Sequence, residues 1–269
     1  MSLAVFILLV GGGALVFGIG GMLLVRRWGH RWGYIPEHDD LLGASYGVAG
    51  TAFAVLLAFI VFLGWEHYNA ARGHLEDEAD AVGNLYRLTD GAAGAERQKL
   101  RDGLVCYARS VIDDEFPAME DGNDAKETEL ALDRLFLMYA TLEVSGDREA
   151  GLYQTALPVL DTVDDSRHDR LLESKPLIPT FAWMVLLIGA AVTIAVTFLF
   201  YGERLRIQLA MTFTSIVLVC APMFLIFYFD DVFSESHGLE PTAIETAFPP
   251  GTQLDPPNCP LGPLREVDG

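Results

Sequence analysis

Asp, Glu, Lys, Arg and His are absent from the interiors of four long stretches of this 269-residue chain: Leu3 to Val25, Ala44 to Gly64, Phe181 to Tyr201 and Leu209 to Phe229. A bilayer hydrocarbon core of ~30 Å needs about 20 apolar residues of helix, so each stretch is long enough to cross one. The same absence argues against a proton-coupled transporter, which needs ionisable groups within its spans. Basic residues are scarce as well: 18 Lys and Arg stand against 37 Asp and Glu, for a net charge of −19. That balance excludes nucleic acid as a partner and disfavours docking on anionic headgroups. Three cysteines are too few for a disulfide framework. Cys220 falls inside the fourth stretch and reads as a packing residue. A bridge between Cys106 and Cys259 stays open, and two free thiols are the expectation, because Cys259 lies in a Pro- and Gly-rich tail.

Catalytic signatures are also missing. The chain has no phosphate-binding glycine loop, no metalloprotease histidine pair and no nucleophile motif, so no enzyme and no cofactor is expected. His67, His74 and Glu78 fall one or two helical turns apart, but a solvated helix face is the better reading and no metal is assigned. Asp113-Asp114-Glu115, Asp164-Asp165 and Asp230-Asp231 lack the glycine turn of a calcium loop and read as surface solvation.

What is present is a segregation of apolar and acidic segments. Residues 66–178 carry a net −13 and residues 230–269 a net −7. The predicted fold class is all-α: a polytopic membrane protein with four transmembrane helices and a helical soluble bundle between spans two and three. Four segments follow: a first hairpin over 1–64, an acidic helical domain over 65–178, a second hairpin over 179–230 and an acidic tail over 231–269. The N-terminus has no basic region or small-residue cleavage site and does not read as a removable signal peptide. Arg26, Arg27 and Arg31 follow span one, and Arg204 and Arg206 sit between spans three and four. By the positive-inside bias both loops are expected in the cytoplasm. The chain is then a multi-pass membrane protein, with the acidic domain and both termini outside.

Span two is predicted to continue into water as one helix from about Ala44 to Leu88. Tyr68, Arg72, Leu75, Ala79, Val82 and Tyr86 extend a three-four spacing, with Thr51, Ala54 and Ala58 as its membrane portion. Further helices are expected near 95–115, ended by Phe116-Pro117, and near 126–143, burying Leu132, Leu135, Phe136 and Tyr139. Another is expected near 148–173, kinked or broken at Pro158. The glycines at 11, 12, 13, 18, 20 and 21, and Gly43, Gly47, Gly50 with Ala54, read as helix-packing faces. Thr51, Val55, Phe59, Phe62 and Glu66 share one face of span two. Around the axis of a homo-oligomer they are pore-lining candidates, an apolar constriction with an acidic mouth; the alternative is that they pack against lipid or neighbouring helices.

The stretch Gly47 to Leu88, above all Phe59, Phe62, Trp65, Arg72, Glu76, Glu78, Ala79, Leu85 and Tyr86, resembles the hallmark segment of the bacterial bestrophin-like membrane-protein family. Val105 to Pro117 and Leu205 to Leu209 are similar too, and the resemblance covers most of residues 45–235. It implies the plan of bestrophins proper: pentameric anion channels with four spans per subunit, a cytoplasmic helical region and an apolar neck on the second span. Two features depart from that plan. The loop arginines place the soluble domain outside, and Glu66 at the mouth would repel anions. The expected function is therefore a homo-oligomeric, channel-like protein of the lipid bilayer with ions as candidate permeants. The alternative is a non-conducting sensor or assembly protein whose soluble domain binds a partner.

Overall fold

The computed structural model describes residues 3–32, 39–92, 94–142, 146–199, 205–234, 237–252, 254 and 259. Glu143, Tyr201, Arg204 and the side chain of Arg31, all used above, lie outside the described parts. The described residues are helical with no strand. Seven principal helices follow in order: α1 (Gly12–Trp32), α2 (Asp39–Leu88), α3 (Gly94–Ser110), α4 (Lys126–Ala140), α5 (Asp147–Glu173), α6 (Thr180–Val196) and α7 (Leu205–Asp230). Short helical pieces at Leu3–Phe6 and Ile7–Gly11 precede α1, and a 3-10 turn, Thr197–Leu199, follows α6. Three stretches, Leu3–Trp28, Tyr46–Gly91 and Leu205–Asp230, are long and apolar enough to cross a membrane, and Thr180–Val196 is a shorter apolar helix. The chain divides into two compact units, one of residues 1–67 and 177–230, the other of residues 68–176 and 231–269.

In the first unit, α1, α6, α7 and the start of α2 pack through two apolar clusters. Leu57, Leu186, Ala190, Val219, Met223 and Ile226 form one, and Met22, Ile194, Phe198, Ile216 and Cys220 the other. Small residues permit this packing where helices have no hydrophobic drive to associate in lipid. A Cβ at Gly18 would lie 2.6 Å from Ile216, and one at Gly21 2.5 Å from Phe198. Gly12, Gly13, Gly20, Gly43, Gly47 and Gly50 face open space instead, so only part of the expected glycine packing is made within the chain. Asp230 closes the unit: one carboxylate oxygen accepts the Ile178 backbone N–H at 2.8 Å and the other the Trp183 indole N–H at 3.2 Å.

In the second unit, α3, α4, α5 and residues 68–88 of α2 surround one core, joined by Val232, Phe233, Ile244 and Phe248. Residues 39–88 contain no proline, which is why α2 runs unbroken for 50 residues. It ends where the Thr89 hydroxyl donates to the Tyr86 carbonyl at 2.6 Å and a 3-10 turn begins. Leu75, Ala79 and Val82 are buried as their spacing predicts, and Tyr86 is half-buried. Arg72 instead lies outside, paired with Glu76 at 2.8 Å. Leu75→Ala is expected to destabilise the unit by roughly 2–5 kcal/mol, the usual range for a buried Leu truncation. Thermal melts of detergent-solubilised protein check this; an unchanged midpoint would remove Leu75 from the core.

Neither proline breaks its helix. Helix does not stop at Phe116-Pro117: a π turn, Val111–Glu115, leads into Phe116–Met119. The wider turn shifts the hydrogen-bond register just ahead of the missing Pro117 N–H. Helical structure ends at Met119, and the turn after it closes at Gly122, whose φ of +70° favours glycine and whose N–H donates to the Met119 carbonyl at 2.9 Å. Nor does Pro158 break α5, which is continuous from Asp147 to Glu173. Leu152 and Ala156 before it, and Leu160 and Val163 after it, are all buried in the same core, so packing holds the helix through the lost hydrogen bond. The expectation of free thiols also fails: Cys106 and Cys259 form a disulfide with a Cα–Cα distance of 5.4 Å. The bridge anchors a tail position that composition alone left loose.

Candidate functional site

The membrane portion of α2 has two different faces. Leu57 and Gly64 are buried, and Phe53 and Ile60 are half-buried against α6 and α7. Gly189 makes room for the Phe53 ring, which a Cβ at that position would strike. The opposite face carries the predicted stripe. Thr51 and Glu66 are exposed, as are Val55 (63%), Phe59 (59%) and Phe62 (56%). Thr51 turns its hydroxyl back to the Gly47 carbonyl at 2.7 Å, which satisfies it within its own helix. The structure therefore brings the five residues together on a face that the chain itself leaves uncovered. It also corrects the expected seam: Thr51, Ala54 and Ala58 lie outside, and the packed seam is Phe53, Leu57, Ile60 and Gly64.

The second unit holds a cluster that sequence reasoning did not assemble. Arg170, fully buried, donates through Nε to Glu78 at 2.7 Å and through one terminal nitrogen to Glu115 at 2.6 Å. Its other terminal nitrogen meets the Met119 sulfur at 2.9 Å, and its guanidinium sits 5.6 Å from the Phe116 ring centre. Arg167 closes on the second Glu115 oxygen at 2.6 Å, and the Tyr107 hydroxyl donates to Glu78 at 2.7 Å. Two cations and two carboxylates thus neutralise one another inside the core. Burial alone would lower the pKa of Arg170, but Glu78 and Glu115 outweigh it and hold the guanidinium charged. Burial, then the Glu78 charge, pushes the Tyr107 phenol well up, so it stays a neutral donor.

These groups were legible in part. Glu78 lies three residues after Leu75 and four before Val82, on the core stripe of α2. Arg167 and Arg170 continue the buried stripe Ala156, Leu160 and Val163 of α5. A charge in register with an apolar stripe was the available signal. The cluster also dissolves the His67, His74, Glu78 set: Glu78 is engaged by Arg170 and Tyr107, while His74 lies 3.8 Å from Asp169. Among the described residues no group of three His, Cys, Asp or Glu side chains is placed to hold a metal. Of the acidic groups, Asp164-Asp165 is exposed as expected, whereas Glu115 is buried, Asp113 pairs with Arg109 at 2.9 Å, and Asp230 caps the turn into α6.

Residues 12–244 match the model of the Bestrophin-like domain. The fold is similar to the crystal structure of a single-substitution variant of a bacterial bestrophin homologue from Klebsiella pneumoniae. The TM-score is 0.67 at 15% identity, with 90% of this chain and 97% of that chain covered. It is also similar to a solved structure described as a membrane protein with a proline-to-alanine substitution, at a TM-score of 0.62 and 16% identity, covering 92% and 96%. No curated protein sequence matches.

Proposed function

Because the chain belongs to the bestrophin-like family, we propose that it is a homo-oligomeric, four-span ion channel of the bacterial cytoplasmic membrane whose pore is lined by α2. One observation carries this reading: α2 packs one face against its own chain and leaves Thr51, Val55, Phe59, Phe62 and Glu66 exposed on the other. Copies of this face around an axis would form a constriction of Phe59 and Phe62 narrow enough to dewet, with Glu66 at one mouth. A Cβ at Gly43, Gly47 or Gly50 would meet nothing within the chain, which leaves room there for close approach of a neighbouring subunit. Farther along α2 the same register passes through Glu76, Asp80 and Asn84, all exposed. An acidic ring favours cations over anions at a pore entrance. Glu66→Gln is expected to move the reversal potential under a salt gradient towards anion permeability. An unchanged reversal potential removes Glu66 from the pore mouth.

The orientation we propose puts the second unit outside the cell. The arginine bias motivates it, and the Cys106–Cys259 disulfide supports it, since such bridges persist in oxidising compartments and are rare in the cytoplasm. This is opposite to the arrangement that resemblance to bestrophins proper implies. Intact cells treated with an impermeant phosphine and then an impermeant maleimide test it. Cys259, which is only partly buried, is expected to label, while a cysteine replacing Gly29 stays unlabelled until the membrane is opened. Labelling at position 29 alone would invert the orientation.

A further inference from the structure

In the second unit, α3 and α4 enclose a pocket of about 490 Å³ beside the Cys106–Cys259 disulfide. Its volume falls in the range of about 300–1,000 Å³ typical of small-molecule sites. Its floor is apolar, formed by Gly103, Ala131, Leu135 and Met138, and the two bridged cysteines form one wall. Gly103 sits mid-helix without a positive φ, so the backbone does not require glycine there, and glycine disfavours a helix interior. The close neighbours are side chains: a Cβ would lie 2.8 Å from the Met138 sulfur and 3.0 Å from Leu135, so these would have to move to admit one. The flexible Met138 thioether can reshape that floor around an alkyl chain.

The rim differs from the rest of this acidic chain. Arg134 and Lys99 both line it. Arg134 makes no ion pair with a described residue, and Lys99 reaches only Glu96, at 3.9 Å on the exposed surface. The one carboxylate in the lining, Asp102, accepts from the Gln98 amide at 2.8 Å. Two cations over an apolar floor recognise a molecule with an anionic head and an apolar tail. We propose that this pocket binds a medium-chain alkyl carboxylate, its chain over Gly103, Leu135 and Met138 and its head at Arg134 and Lys99. The disulfide, by fixing Cys259 against α3, keeps the wall in place.

Calorimetric titration of the full chain in phosphatidylcholine nanodiscs with octanoate tests this, with empty nanodiscs subtracted. Saturable binding is expected for octanoate and not for octanol or octyltrimethylammonium. Arg134→Gln is expected to weaken it about tenfold, the equivalent of about 1.4 kcal/mol. Gly103→Leu, whose side chain would displace Met138 and Leu135 from the floor, is expected to abolish it. Arg134 lies at the rim, so its variant keeps the test independent of folding. Absence of saturable octanoate binding, equal binding of octanol, or unchanged affinity in Arg134→Gln would overturn the proposal. So would binding that emerges only after residues 260–269 are removed, because the pocket's occupant would then be the chain's own tail. Reduction with dithiothreitol is expected to weaken binding, and unchanged affinity after complete reduction would overturn the part assigned to the disulfide.

Discussion

Replacing Phe62 by alanine is expected to raise the leak current of the reconstituted protein by roughly an order of magnitude or more. Phe62 and Phe59 lie on the uncovered face of α2, a turn apart, and both are more than half exposed in the single chain. Around an oligomer axis their rings would exclude water from a short apolar length, and ions cannot enter a length that water has left. Each copy of the substitution removes one ring from the same ring of side chains, so the barrier falls cooperatively with subunit number. A fall of about 1.4 kcal/mol is enough for a tenfold change in rate. Leu186→Ala is a control inside the subunit's own packing, where the buried side chain meets other parts of the chain. It is expected to cost stability without a comparable leak. A leak equal in the two variants would mean that general loosening, not loss of a constriction, admits the ions.

The second large effect is expected at Arg170. Arg170→Met leaves Glu78 and Glu115 buried without their shared cation, since Arg167 reaches only Glu115 and Tyr107 only Glu78. Breaking a buried pair on one side costs about 3–5 kcal/mol. For a unit of this size that lowers the apparent melting midpoint by roughly 6–20 °C. Removing the uncompensated charge in the same molecule, as Arg170→Met with Glu78→Gln, is expected to restore part of the loss, because the penalty lies mainly in the orphaned carboxylate. Fluorescence melts of the single and double variants check both statements. A single variant as stable as the wild type would show that the cluster is solvated in solution and not part of the core.

The water-facing part of α2 was legible from periodicity because its sequence alternates in character. Leu75 and Val82 are apolar among charged neighbours, so a three-four spacing distinguishes inside from outside. The membrane part carries no such contrast. Phe53, Leu57, Thr51 and Ala54 are all compatible with lipid and with protein, and the packed seam was assigned to the wrong one of two apolar faces. Charge misled in a different way. Glu115 was read as surface solvation because acidic residues usually are exposed, whereas pairing with Arg167 and Arg170 permits its burial. Pro117 was read as a stop and Pro158 as a kink or a break, and local chemistry alone justifies both; a π turn in one case and a buried stripe in the other carry the helix through. Cys259 lay in a segment with no periodicity at all, so its partner was not inferable from spacing. The five-residue stripe on α2 could be read in advance because it depends only on helical geometry.

The central claim is that α2 surrounds a conducting path. Purified protein reconstituted in a planar bilayer, recorded across a range of voltages under an asymmetric salt gradient, tests it most directly. The account predicts a measurable conductance with a reversal potential on the cation side, increased by Phe62→Ala and shifted towards anions by Glu66→Gln. Electrical silence of the wild type and both variants, over a range of divalent-ion concentrations, would contradict it and return the stripe to helix packing in a non-conducting sensor.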